Sequence, residues 1–162
     1  MSDVTVQLAD FSNRQDRQAL QDLMQEYATD PMGGGEPLSP IVLETLADKL
    51  LAYPGAFSVI AWRGDTPLGL INTFETLSTF KAKPLINIHD VIVTRDCRGM
   101  GLAHKMLVAV EQRAREKGCC KLTLEVLEGN ERARHVYREF GFSGYELDER
   151  FGKAMFWEKP LL

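Results

Sequence analysis

The chain has 162 residues, 44% of them hydrophobic and 26% charged, and a net charge of −4. That length suits one domain, residues 1–162, with its own core, and the composition is that of an ordinary soluble globular protein. No apolar run approaches the ~20 residues of a membrane span, and the acid excess, without any Lys/Arg cluster, argues against nucleic acid as a partner.

The first ten residues, "MSDVTVQLAD", hold no basic stretch followed by an apolar one, so no secretory leader is expected. The cysteines are Cys97, Cys119 and Cys120. Their odd count and the adjacent pair speak against a disulfide framework, and their spacing matches no zinc pattern. The expectation is a reducing, cytoplasmic setting and no metal.

Val4, Val6 and Leu8 alternate with polar residues, which predicts a half-buried first strand over 4–9. Ser12 or Asn13 can cap a helix to about Ala28, with Leu20, Leu23, Met24 and Tyr27 as its apolar stripe. Asp30 to Pro40, "DPMGGGEPLSP", reads as a loop. It suits a flap over a cleft and equally a plain solvent-exposed connection. Ser39 and Pro40 then fit an N-cap and first helical residue, and Pro54-Gly55 stops that second helix near Tyr53.

Strands are predicted over 57–62 and 67–75, joined by the turn "RGDTP". Residues 77–84 form a turn without a clear shape. Leu85 to Val93 is a buried central strand, rich in β-branched residues. After a short glycine turn, Leu102, Met106, Val110 and Ala114 give helical spacing to Lys117, with Gly118 as the stop. "KLTLEVL", 121–127, alternates as a strand. Asn130 opens a short helix that ends at Gly141, and 142–147 and 154–158 read as a closing hairpin around "DERFG". This order predicts an α/β (α+β) fold with a mixed, mostly antiparallel sheet of about seven strands. Helices cover both faces, and the fourth and fifth strands, flanking the long helix, are parallel.

The turn "RGMGLA", Arg98 to Ala103, joins the central strand to the long helix. Backbone N–H groups at such a helix start have no intrahelical partner. With the helix dipole they make an anion site. A Walker phosphate loop is absent, since no G-x-x-x-x-G-K-[ST] string occurs. A dinucleotide fingerprint would need a small residue where His104 stands.

"RGMGLA" resembles the R/Q-x-x-G-x-G/A signature of the GNAT superfamily, the acyl-CoA-dependent N-acetyltransferases. "NERARHVYREFGF", 130–142, resembles the N-x-x-A-x-x-x-Y-x-x-x-G-F pattern of the same enzymes, with Asn130, Ala133, Tyr137, Gly141 and Phe142 at its fixed positions. The two motifs lie in register, and the order of elements is similar to that of the superfamily. The resemblance covers the whole chain loosely and residues 86–142 closely.

The resemblance implies acetyl-CoA as co-substrate. The N–H groups of Arg98, Gly99, Met100, Gly101, Leu102 and Ala103 would hold its pyrophosphate. The strand edge at Val91, Ile92 and Val93 would pair with its pantetheine arm, as an added strand would. In the superfamily the fourth and fifth strands splay to admit that arm, which places Asn130 beside it. Tyr137 would then protonate the departing thiolate; by its helical position alone it is a core aromatic.

Acyl transfer to an amine also needs a base to free the nucleophile. By alternation Asn87, His89, Val91 and Val93 share a face, so His89 is a candidate, though a sheet-satisfied histidine fits as well. Asp90 points the other way unless a bulge reverses the register. Glu125 stands third, as a solvent-facing charge or a base. Trp62, Phe156 and Trp157 can line an acceptor pocket, but their strand patterns favour the core.

The expected function is transfer of an acetyl group from acetyl-CoA to a primary amine of a small molecule by direct attack in a ternary complex, with a central-strand N–H stabilising the oxyanion. A peptide or protein amine as acceptor, and an acyl-CoA-binding regulatory domain without turnover, are the alternatives. A homodimer is left open; neither a membrane nor nucleic acid is expected as partner.

Overall fold

A computed structural model of the chain describes residues 3–162. Five strands form one sheet in the order β1-β2-β3-β4-β5. They are β1 (Val4–Leu8), β2 (Ala56–Arg63), β3 (Thr66–Ser78), β4 (Lys83–Val93) and β5 (Leu122–Leu124). The first four pair antiparallel, and β4 and β5 are parallel. Four helices pack around them: α1 (Arg14–Thr29), α2 (Pro40–Ala52), α3 (Leu102–Glu116) and α4 (Glu131–Phe140).

Side-chain alternation distributes the strands between two cores. On one face Ile60, Trp62, Leu70 and Ile92 meet Leu20 and Leu23 of α1 and Ala47 and Leu50 of α2. On the other, Val59, Ala61, Ile71, Ile86 and Ile88 meet Met106, Leu107 and Val110 of α3. Those three α3 side chains are fully buried; each contributes about 1.5–3 kcal/mol relative to exposure. Gly69 lets α3 approach, since a Cβ there would meet Met106 Cε at 2.7 Å and the Ile92 carbonyl oxygen at 2.9 Å. Of the two cap candidates for α1, Asn13 serves, its Oδ1 accepting the Asp16 N–H at 2.8 Å. Ser12 turns back and donates to Asp10.

The register of β4 against β3 carries a bulge. Asn72 pairs with Asp90 and Thr73 with Ile88, so His89 has no partner. The extra residue breaks the expected alternation. Ile86, Ile88, Val91 and Val93 all pack toward α3, whereas Ile92 joins the α1/α2 core. His89 packs edge-on against Phe74, which borders the α1/α2 core. Asn87, His89, Val91 and Val93 therefore do not share one face, and Asp90 lies opposite Asn72 on the α1/α2 side.

Three further expectations are corrected. The sheet has five strands rather than seven among the described residues. Residues 142–147 and 154–158 do not form a hairpin. Only a single bridge joins Glu146 to Lys153, and Phe156 and Trp157 are 74% and 80% exposed rather than in the core. With no strand on its outer side, β5 keeps only Leu122–Leu124 of the predicted 121–127. The segment 77–84 is the tight end of a hairpin, because β3 runs to Ser78 and β4 starts at Lys83. Trp62 is buried as core, and the three cysteines are free thiols. Among the described residues no helix is long and apolar enough to cross a membrane, and no cluster of potential metal ligands occurs.

Candidate functional site

The parallel pairing of β4 with β5 ends at Ile88 and Leu124, although β4 continues to Val93. A cleft of about 780 Å³ opens where the strands part. Val91, Ile92 and Val93 form one wall, and Gly129 to Ala133 with Tyr137 form the other. The start of α3 closes one end, and Tyr27, Asp30 and Met32 border it from α1 and the following turn.

That end carries an uncapped helix start. Gly101, the N-cap of α3, sits in the left-handed region at φ 77°, and no side chain caps the helix. A residue with a Cβ would be strained there. The first N–H groups of α3 thus lack a side-chain acceptor, and the helix dipole adds positive potential. Gly99, Gly101, Leu102 and Ala103 line the cleft, as does Arg98. Met100 lies on the same turn, 37% exposed, outside the lining.

The Arg98 side chain points away from an anion role. Its Nη2 donates to Asp30 Oδ2 at 2.8 Å and its Nε to the Val93 carbonyl oxygen at 3.3 Å. Asp30 is 7% exposed. It also accepts the Met32 N–H at 3.0 Å. The Arg98 hydrogen bond first, and the Met32 N–H second, hold its carboxyl below the usual range. The pair ties the turn before α3 to the glycine loop after α1. Gly33 of that loop lies so close to Tyr27 that a Cβ would overlap the Tyr27 carbonyl oxygen.

Tyr137 reaches the cleft from α4. Burial, and then the neighbouring Tyr27, push its pKa up to about 12. Tyr27 is itself raised, by burial first and then by the negative charges of Asp90 and Asp30. Asn130 caps α4, its Oδ1 accepting the Ala133 N–H at 3.2 Å.

Neither His89 nor Asp90 lines the cleft wall. Both lie just beyond the last β4–β5 pair, at the apex where the strands diverge. Asp90 accepts from Asn72 Nδ2 at 3.0 Å, and Asn72 Oδ1 accepts from Ser58 Oγ at 2.7 Å. Asn72 and Ser58 are 2% and 3% exposed, so this chain of polar groups is fixed inside the sheet. His89 is exposed and held by its ring contact with Phe74. Glu125 is exposed past the end of β5.

Sequence reasoning missed Asp30, Asn72 and Ser58 and took Tyr27 only as part of a helix stripe. Asn72 did carry a signal, as a lone amide in the apolar run "LGLINTF". A buried polar group in a strand must find a partner.

The family model described as "Acetyltransferase (GNAT) family" matches residues 18–142. A thialysine N-epsilon-acetyltransferase of Bos taurus is 38% identical over 96 residues, which cover 59% of this chain and 53% of that protein. The chain thus matches about half the length of this curated relative. Among solved structures, a probable acetyltransferase superposes with a TM-score of 0.80 at 21% identity, covering 98% of both chains. An aminoglycoside acetyltransferase from an uncultured soil metagenomic sample, in complex with trehalose, gives 0.76 at 18% identity. That match covers 97% of this chain and 96% of the other.

Proposed function

The chain belongs to the acetyltransferase (GNAT) family, and on that premise we propose that it is an N-acetyltransferase moving an acetyl group from acetyl-CoA to a primary amine of a small molecule. The observation that carries this reading is the convergence of an uncapped helix start, a freed strand edge and Tyr137 on one cleft.

The cleft suits the co-substrate. The N–H groups from Gly99 to Ala103 form a cradle for a pyrophosphate. Val91 to Val93, past the end of β5 pairing, offer main-chain groups to an extended amide-bearing arm. In the reaction the amine nitrogen bonds to the thioester carbonyl carbon, the C–S bond breaks, and the amine's surplus proton leaves through a base. A β4 backbone N–H at the apex serves the oxyanion.

Tyr137 stays neutral at any physiological pH, since its pKa lies at about 12. Full proton transfer from it to a thiolate with the usual thiol pKa near 8.5 runs uphill by roughly 5 kcal/mol. Its contribution is therefore a hydrogen bond to the sulfur, with solvent or the amine's proton completing protonation. Asp90 is the favoured base, acting directly or through water, because Asn72 and Ser58 orient its carboxylate. His89, on the same face, is the second candidate.

A small-molecule acceptor fits relatives named for thialysine and aminoglycosides. The three free thiols suit a reducing, cytoplasmic setting. The test is a thermal melt with acetyl-CoA, CoA and NAD, followed by thiol release against an amine panel that starts with those two classes. A ligand at a hundred times its Kd adds about 2.7 kcal/mol. Stabilisation by acetyl-CoA but not NAD, with thiol release, is expected. Stabilisation without release from small amines or peptide amines would favour a binding domain. No stabilisation by either CoA species refutes the proposal.

A further inference from the structure

Tyr27 brings a phenol to the cleft from the last turn of α1. The residue is half-buried and packs against the α1/α2 core. Among the described residues its hydroxyl has no hydrogen-bond partner, yet it is not among the polar atoms sealed inside the protein without one. It is a polar group left open to the cleft.

That placement is held from several sides. The Tyr27 carbonyl accepts the Asp30 N–H at 3.0 Å, and Gly33 lies against the same carbonyl and ring so closely that no Cβ fits. On the two residues before it, Gln25 Oε1 accepts the Leu38 N–H at 3.0 Å and Glu26 Oε1 the Arg95 N–H at 2.8 Å. One turn earlier, Met24 Sδ lies 3.4 Å from Asn72 Nδ2, the amide that also holds Asp90 Oδ2 at 3.0 Å. Residues three apart are neighbours on a helix face, so Met24 and Tyr27 together reach from the Ser58–Asn72–Asp90 row to the cleft. Asp90 is half-buried, and its Oδ1 has no partner among the described residues. Tyr137 lines the same cleft from α4. Burial first, then the charges of Asp90 and Asp30, raise the Tyr27 pKa. The phenol is therefore neutral, and it sits in the field of two carboxylates, which attracts a cation.

Resting on the acetyltransferase reading above, we propose that the Tyr27 hydroxyl binds the reacting nitrogen of the acceptor, its oxygen accepting one N–H while Asp90 Oδ1 takes the proton that must leave. An alkyl amine arrives as an ammonium ion. It sheds one proton to Asp90, the nitrogen bonds to the thioester carbonyl carbon, the C–S bond breaks, and a second N–H proton ends on the sulfur. The nitrogen is positive on arrival and positive again once bonded to that carbon, so the hydrogen bond to Tyr27 is made in both states. Binding that is equal in ground and transition states sets KM and leaves kcat nearly untouched.

The test compares wild type with Tyr27→Phe, which keeps the ring and removes only the hydroxyl. Thiol release is followed with the amine of the panel that reacts fastest, acetyl-CoA affinity by calorimetry, and stability by thermal melt. The expected result is an acceptor KM raised about 10–100-fold, the worth of a hydrogen bond to a charged group. The kcat stays within about threefold, and the acetyl-CoA Kd and the Tm do not move. A fall in kcat at constant KM overturns the proposal, because Tyr27 would then carry a proton and not the acceptor. A weaker acetyl-CoA Kd overturns it by placing the hydroxyl on the co-substrate. A lowered Tm overturns it by making the role structural. An unchanged KM in an active variant removes this inference alone. Wild-type protein that releases thiol with no amine removes it together with the reading it rests on.

Discussion

Replacing Asp30 with Asn removes one charge and keeps the shape. The Asn Oδ1 can still accept the Met32 N–H, but the Arg98 guanidinium then faces a neutral amide in place of Oδ2, its partner at 2.8 Å. A hydrogen bond to a charged group is worth about 1.5–3 kcal/mol. Asp30 is nearly closed to solvent, whereas the Arg98 side chain is 31% exposed, so water partly replaces the lost partner. The expected loss is about 2 kcal/mol, or roughly 4–8 °C in Tm for a chain of this size. Arg98 begins the turn that would hold the pyrophosphate. If half of that energy orders the turn, the Kd for acetyl-CoA rises about fivefold.

The pH dependence follows from the direction of the shift. Asp30 has its pKa lowered in the folded chain. Its stabilisation is complete above the ordinary unfolded value near 3.9 and is lost as pH falls through the depressed folded value. The stability gap between wild type and Asp30→Asn should therefore close in acid, below about pH 4. Denaturant melts at several pH values, with isothermal titration of acetyl-CoA, give the data. A cycle with Arg98→Met isolates the pair. Coupling under ~0.5 kcal/mol, the scatter of independent sites, would refute the idea that this pair holds the turn.

Three further outcomes are expected. Tyr137→Phe should fold and bind acetyl-CoA normally, lower kcat by about 10–100-fold, and remove from an ultraviolet titration the phenol that ionises near pH 12. Because that pKa is raised by folding, its linked stability is complete below about pH 10 and declines as pH climbs toward 12. Asn72→Leu strands the Ser58 hydroxyl and frees the Asp90 carboxylate. A denaturant melt should show a loss of about 2–4 kcal/mol, and kcat should fall in whatever fraction folds. Gly33→Ala forces the loop away from the Tyr27 carbonyl. It should cost about 1–3 kcal/mol, read by calorimetry, and should raise the acceptor KM.

Much of the site was legible because its signals are local. The glycines at 99 and 101 and the helical spacing from Leu102 onward place an anion-binding turn without any tertiary information. Tyr137 stands at a fixed distance from the Asn130 cap. The Asp30–Arg98 pair joins residues 68 positions apart, and neither neighbourhood announces the other. The bulge at His89 is likewise silent, because "NIHDVIV" alternates acceptably in either register. The closing hairpin failed for a different reason. Alternation in 154–158 describes a strand's faces and does not by itself supply the backbone partner that would make it one.

The unpaired His89 gives β4 one residue of slack. In a regular strand, losing a residue turns everything downstream inside out. Here the downstream half is already offset, so deleting His89 would leave Ile88 opposite Thr73 and Asp90 opposite Asn72, with Val91 and Val93 still toward α3. The position is thus a place where the chain can shorten by one without re-sorting its core. The polar display at the apex where β4 and β5 part can change its membership while the hydrophobic architecture beneath it stays in phase.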